Sequence, residues 1–142
     1  MPGPSSRSDA VSGQSTPLGP VLVTEQMIVH WARAFDPLPF HLDRQAARQS
    51  LLGDLAASGW HTVGLALRLI KESPLGTLPL TGVAGVENLK WLRPVFPDDR
   101  VSGEARRGPE DTQTISLVVT LSTPRSGPVL SATVRFFRSE HR

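Results

Sequence analysis

From Ala57 to Ile70 the chain reads ASGWHTVGLALRLI, a helical stretch that is apolar on nearly every side, with His61, Thr62 and Arg68 the main exceptions. A helix of this kind has to be buried around most of its circumference. At about 1.5 Å per residue it spans on the order of 20 Å, the width of a small sheet. The rest of the chain must therefore supply something that wraps it, and this requirement constrains the fold more than any other feature.

The C-terminal half of the chain can supply that wrapping. Ser73-Pro74 and Gly76 end the helical run, and the apolar period then changes to two. The pattern predicts strands over about Gly82 to Leu92, Arg100 to Arg107, Thr112 to Thr123 and Val129 to Arg138, separated by Pro94, Pro97-Asp98-Asp99, Gly108-Pro109-Glu110-Asp111 and a turn over Pro124 to Gly127. In the third strand Ile115, Leu117, Val119 and Leu121 share one face; in the fourth, Leu130, Ala132, Val134 and Phe136 do. Strands joined by short turns pair antiparallel, because parallel pairing needs a long crossover. The expectation is an α+β domain in which a four-strand antiparallel meander curls around the apolar helix.

Ahead of the helix, residues 1–18 are rich in Pro, Gly and Ser and poor in bulky apolar side chains, and are expected to form a disordered tail. One domain over 19–142 is expected after it. Order should start near Val21-Leu22-Val23, with Thr24 capping a helix and Glu25 in its first turn. Met27, Ile28, Trp31 and Phe35 fall at helical spacing, and Asp36-Pro37 ends that helix. A short helix capped by Asp43 and reaching Gln49 comes next.

Several function classes are disfavoured. The formal charge is only +2, and Arg106-Arg107 is the only adjacent basic pair, so nucleic acid is not an expected partner. The chain has no cysteine, which excludes disulfides and thiolate chemistry and fits a cytoplasmic location. MPGPSSRSDAVSGQS lacks the apolar core of a signal peptide, and no window approaches a membrane span. His30, His41, His61 and His141 lack metal-ligand spacing, and no phosphate-binding glycine loop, GxSxG or HExxH occurs, so neither a metal nor a cofactor is expected.

Two candidates for chemistry remain. In FDPLPFHLD, Pro37 and Pro39 stiffen the segment between Asp36 and His41, so their relative placement can be held at low entropic cost. A carboxylate and an imidazole can together orient and deprotonate a water molecule. The plainer reading, that Asp36 turns the chain and His41 satisfies a backbone carbonyl, stays open on spacing alone. The second candidate is Ser58-Gly59 at the start of the apolar helix. Free N–H groups and the helix dipole make such an end attractive to developing negative charge, and a glycine permits close approach. An ordinary Ser cap with a packing Gly next to it stays open as well. Trp60 and His61 come directly after as candidate pocket residues, though both also fit a core role.

Together, DPLPFHLD, Ala46-Ala47, ASGWHT from Ala57 to Thr62 and NLKWLRPVFPDD from Asn88 to Asp99 resemble the MaoC-like dehydratases, relatives of the (R)-specific enoyl-CoA hydratases, over about residues 20 to 138. The resemblance implies a hot-dog fold, a homodimer with an acyl-thioester tunnel near its interface, and no cofactor. It implies Asp36 and His41 as the catalytic pair, with the Gly59 amide on the thioester carbonyl and Ser58, Trp60 and His61 around it. The implied reaction is reversible hydration of a 2-enoyl thioester of coenzyme A or an acyl carrier. Two departures stand out. Asp54 occupies a position more often small or apolar, where an acid near the tunnel could alter substrate choice, and SGW replaces the HG-apolar helix start of the (R)-hydratases. A hot-dog thioesterase and a non-catalytic thioester-binding subunit are the competing readings.

Overall fold

The computed structural model describes residues 14–139. In chain order it contains β1 (Thr16–Val23), α1 (Glu25–Phe35), α2 (Arg44–Arg48), α3 (Gly59–Glu72), β2 (Leu80–Trp91), β3 (Asp99–Glu110), β4 (Thr114–Thr123) and β5 (Gly127–Arg138), with short 3-10 turns at Pro39–His41 and Pro74–Thr77. The strands form one antiparallel sheet in the order β1-β3-β4-β5-β2. α3 lies against its concave face as the central helix, which is the hot-dog arrangement.

Helix α3 is buried as its composition demands: His61, Thr62, Val63, Leu65, Ala66, Leu69 and Ile70 are inaccessible, while Gly64 and Arg68 face out. Ile115, Leu117, Val119 and Leu121 of β4 are all fully buried, as period-two patterning predicts, and Leu130, Ala132, Val134 and Phe136 of β5 join them. Burying each such aliphatic side chain stabilises the fold by about 1.5–3 kcal/mol. The predicted caps are in place: Thr24, Asp43 and Ser58 accept hydrogen bonds from the N–H groups of Met27, Ala46 and Trp60.

The topology differs from the expected meander. Only β3, β4 and β5 succeed one another through neighbouring pairings; β2 pairs with β5 on the far edge, so β2 and β3 are separated by two strands. Pro94 and Pro97 make the connector extended rather than a tight turn. It is pinned at three points: Leu92 N–H donates to Val129 O, Ala57 N–H to Val95 O and Asp98 N–H to Val23 O. The connector therefore crosses the end of the sheet beneath the start of α3 and brings Leu92, Arg93 and Pro94 to the pocket.

β1 is the second correction. Thr16–Leu18 belong to an edge strand and not to the expected tail, and Leu18 is 2 % exposed. Residues 1–13 of that tail lie outside the described residues, as does His141. Pro17 and Pro20 are tolerated because an edge strand can spare ladder hydrogen bonds. Gly19 in the bulge is required sterically: at φ 81° a Cβ there would stand 2.7 Å from Val101 O. Strand β3 also runs through Gly108-Pro109, where a turn was expected. On α1 the buried residues are Ile28 and Ala32, and Phe35 is 71 % exposed, because the helix packs along a narrower stripe than its spacing implies.

Candidate active site

Asp36 caps the C-terminus of α1, its N–H bonded to Ala32 O at 2.8 Å. Beyond it Pro39 opens the 3-10 turn that ends in His41, whose N–H bonds Leu38 O at 2.9 Å. This folding of the loop returns the imidazole to the carboxylate: His41 Nε2 lies 3.5 Å from Asp36 Oδ2. His41 is 6 % exposed, and its Nδ1 is 2.7 Å from Ala56 O. A carbonyl oxygen only accepts, so Nδ1 carries a hydrogen, and in the neutral ring Nε2 presents its lone pair toward Asp36.

The helix start joins the same cluster. Ser58 Oγ donates to Asp36 Oδ2 at 2.7 Å and accepts from Trp60 N–H at 3.2 Å, so one hydroxyl both caps α3 and orients the carboxylate. The Gly59 N–H has no acceptor among the described residues. Gly59 itself lines a pocket of about 440 Å³ whose wall also includes Asp36, Phe40, His41, Trp60 and Thr62. Leu52 lines it too, and Trp91, Leu92, Arg93 and Pro94 complete it from the end of β2. The glycine is needed there, since a Cβ at position 59 would stand 2.5 Å from the Trp91 indole nitrogen.

The structure thus brings together Asp36, His41, Gly59 and Trp60 on one wall, with Ser58 bonded behind them. Trp60 is half-exposed and packs edge-on against Trp91, ring centroids 5.1 Å apart. His61 is off that wall: it stacks on Trp31 at 5.2 Å with the rings 4° from parallel, and its Nδ1 has no partner. Burial pushes the His61 imidazole below its ordinary value of 6.5, so it is held neutral. Asp54 is also off the pocket wall. Its Oδ1 accepts from Leu55 N–H at 2.7 Å and from Arg44 at 3.3 Å, and Arg44 in turn pairs with Glu25, tying the loop to α1 and α2. Phe40, Leu52, Thr62, Arg93 and Trp91 were not singled out from the sequence; for Trp91 and Arg93 the only signal was the NLKWLRP segment.

Among the described residues no group of three or more His, Asp or Glu side chains is arranged to hold a metal ion, and no helix is long and apolar enough to cross a membrane. The site offers a carboxylate, an imidazole and, at a helix N-terminus, a backbone N–H without an acceptor among the described residues, all from residues that line one mostly apolar pocket. The fold and this cluster define the class: a hot-dog domain with a carboxylate and an imidazole at the start of its central helix.

Comparison with known proteins narrows this class. The family model for the MaoC like domain matches residues 10–124, and the chain belongs to that family. It is similar to a crystal structure of the MaoC-like dehydratase from Rhodospirillum rubrum, at 32 % identity and a TM-score of 0.77, covering 95 % of this chain and 97 % of that one. It is 31 % identical over 80 residues to Protein MaoC of Klebsiella aerogenes, 56 % of this chain and 23 % of that protein. It is 29 % identical over 80 residues to the uncharacterized protein YdeM of Bacillus subtilis, 56 % of each. The matched stretch thus spans just over half of YdeM and under a quarter of Protein MaoC.

Proposed function

We propose that the protein is a hydratase or dehydratase acting reversibly on 2-enoyl and 3-hydroxyacyl thioesters of coenzyme A or an acyl carrier. The observation that carries this reading is the Asp36–His41 pair, 3.5 Å apart, on the same pocket as the open Gly59 N–H. A water at hydrogen-bond distance from both Asp36 Oδ2 and His41 Nε2 donates one hydrogen to each. With its Nδ1 hydrogen committed to Ala56 O, His41 can only accept from that water in its neutral form, which fixes the water's orientation.

Asp36 takes a proton as the water oxygen bonds to the β carbon of the enoyl group. The electron pair of the double bond moves toward the thioester, placing enolate charge on its carbonyl oxygen. The Gly59 N–H and the N-terminal dipole of α3 stabilise that charge where it develops. The proton removed from water returns to the α carbon by way of the Asp36–His41 pair, so the atoms balance as one added water. The reverse sequence dehydrates a 3-hydroxyacyl thioester. Ser58 is a positioning residue in this scheme, because its hydroxyl occupies one lone pair of Asp36 Oδ2 and leaves another to the water.

A homodimer is part of the same reading. Strand β2 is a sheet edge with no buried residue, and Val83, Trp91 and Leu92 on or beside it are 42 %, 46 % and 40 % exposed. An edge with this much exposed apolar surface is suited to pairing with a second copy. A sedimentation or light-scattering mass of twice the chain supports it, and a monomer at micromolar concentration removes it.

The decisive assay incubates the protein with crotonyl-CoA and tracks loss of the enoyl thioester absorbance. Turnover by the wild type, lost in Asp36→Asn and His41→Ala with folding intact, is the expected result. Release of free CoA instead identifies a thioesterase, and no turnover over a broad panel of enoyl thioesters points to a binding subunit.

A further inference from the structure

The hydrogen bonds of His41 are not enough to hold its ring. Nδ1 is tied to Ala56 O at 2.7 Å, but a single hydrogen bond lets an imidazole rock about the line of that bond. Asp36 supplies no second tie: in the neutral ring Nε2 and the carboxylate oxygen are both acceptors, and they stand 3.5 Å apart. The ring contact that restrains the imidazole is with Phe40. The two centroids are 4.6 Å apart and the planes 76° from parallel, the edge-to-face geometry that aromatic rings prefer. Adjacency in sequence does not produce this contact by itself, because successive side chains of a 3-10 turn project about 120° apart. Phe40 is anchored in its turn. Its side chain packs half-buried against the hydrophobic core, and its carbonyl accepts the Ala56 N–H at 3.3 Å. Both backbone groups of Ala56 thus bind this pair, the N–H holding Phe40 and the carbonyl holding His41.

We infer that Phe40 is a positioning residue for the proposed hydration: its ring fixes the plane of His41, and with it the direction of the Nε2 lone pair that receives the water's hydrogen. The inference rests on the hydratase reading. Two acceptors repel until a water lies between them, so an unbraced imidazole would turn Nε2 away from Asp36. A misplacement of about 1 Å at a reacting group can cost on the order of 100-fold in rate. Phe40 prevents it without chemistry of its own. Its ring has no exchangeable proton and does not titrate, so it neither competes with Asp36 as a base nor adds a pH dependence. Phe40 and His41 line the same pocket, so the braced ring is one the substrate meets.

The test removes the ring and then restores it. Phe40→Ala should lower kcat for crotonyl-CoA hydration about tenfold with KM changed less than about threefold, because the brace acts on a group that works in the transition state. Phe40→Tyr, which keeps the ring, should bring kcat back to within about threefold of wild type. The thermal midpoint serves as the folding control. Should Phe40→Ala fold poorly, Phe40→Leu removes the ring and keeps most of the apolar volume, and a fall in kcat of at least about threefold is expected. A readout independent of turnover is the proton NMR signal of the His41 Nδ1–H, assigned by its absence in His41→Ala. Its bond to Ala56 O is buried, so this hydrogen should exchange slowly with water in the wild type and at least about tenfold faster without the ring. An unchanged kcat, a raised KM alone, an unchanged Nδ1–H exchange or no recovery in Phe40→Tyr, each in a folded variant, overturns the inference while leaving the hydratase reading intact. Wild-type protein that hydrates no enoyl thioester overturns both, so the two failures are distinguishable.

Discussion

His41 and His61 are buried to the same degree, each 6 % exposed, and both lie within the two segments nearest the pocket, yet the chain treats them oppositely. In the proline loop, His41 has one ring nitrogen bonded to Ala56 O and the other turned to Asp36. In the first turn of α3, His61 has an unpartnered Nδ1 and a face stacked on Trp31. The first ring is oriented by its hydrogen bond to Ala56 O and, on the proposed reading, takes part in proton transfer. The second is oriented by packing and serves the α1–α3 contact. Burial alone therefore does not separate the two histidines; the proposed division of roles rests on the partners of their ring nitrogens.

The largest expected effect tests the loop. Asp36→Asn keeps the shape and removes the base, and should cut kcat for enoyl thioester hydration on the order of 1,000-fold. His41→Ala should be comparably damaging to rate and should also cost about 1–3 kcal/mol, because Ala56 O loses its buried donor. His61→Ala is the paired control: a fall in thermal midpoint with kcat within about threefold sustains the contrast, and equal loss of rate in the two histidine variants breaks it.

The helix start comes next. Gly59→Ala places a methyl against the Trp91 indole and should destabilise by about 1–3 kcal/mol while lowering kcat, since one of the two must move. Adding Trp91→Ala should recover the stability but not the rate, which calorimetry and the crotonyl-CoA assay read separately. Ser58→Ala removes the hydrogen bond to Asp36 and the cap of α3 together. About 1 kcal/mol of stability and roughly tenfold in kcat are expected to go with it; a rate unchanged beside a lowered midpoint would reduce Ser58 to a cap.

The smallest effect is the pH response of His61. Its folded value lies below its ordinary 6.5, so the unfolded chain binds the proton more readily than the folded one. Stability should fall as pH drops below about 6.5 and level off once the folded imidazole also protonates. Chemical denaturation of wild type and His61→Leu across roughly pH 5 to 8 checks this, with a shallower slope expected in the variant.

Much of this arrangement could be read from local chemistry. The apolar circumference of ASGWHTVGLALRLI places that helix in the centre, because no solvated position suits it. The alternation in β4 and β5 assigns their buried faces. Thr24, Asp43 and Ser58 announce three helix starts, because capping depends on neighbours no more than a turn away. Asp36 and His41 were legible as a pair because two prolines restrict the backbone between them. Asp54, a departure from the resemblance that could alter substrate choice, is turned to Arg44 and lies off the pocket wall.

Other features depend on partners far along the chain. Strand β1 contains two prolines and a glycine and resembles a tail until β3 is there to pair with it. The position of β2 beside β5 depends on a connector whose hydrogen bonds reach β1, β5 and the loop before α3. The bond from Ser58 to Asp36, the convergence of Gly59 with Trp91 and the separation of His61 from the pocket all result from that packing. Local rules act through backbone dihedrals and the nearest few side chains, and they suffice for the central helix, the caps, the buried strand faces and the candidate pair. Which strands are neighbours, and which side chains line the same pocket, depend on contacts between segments tens of residues apart. No local rule carries that information, and it exists only once the chain has folded.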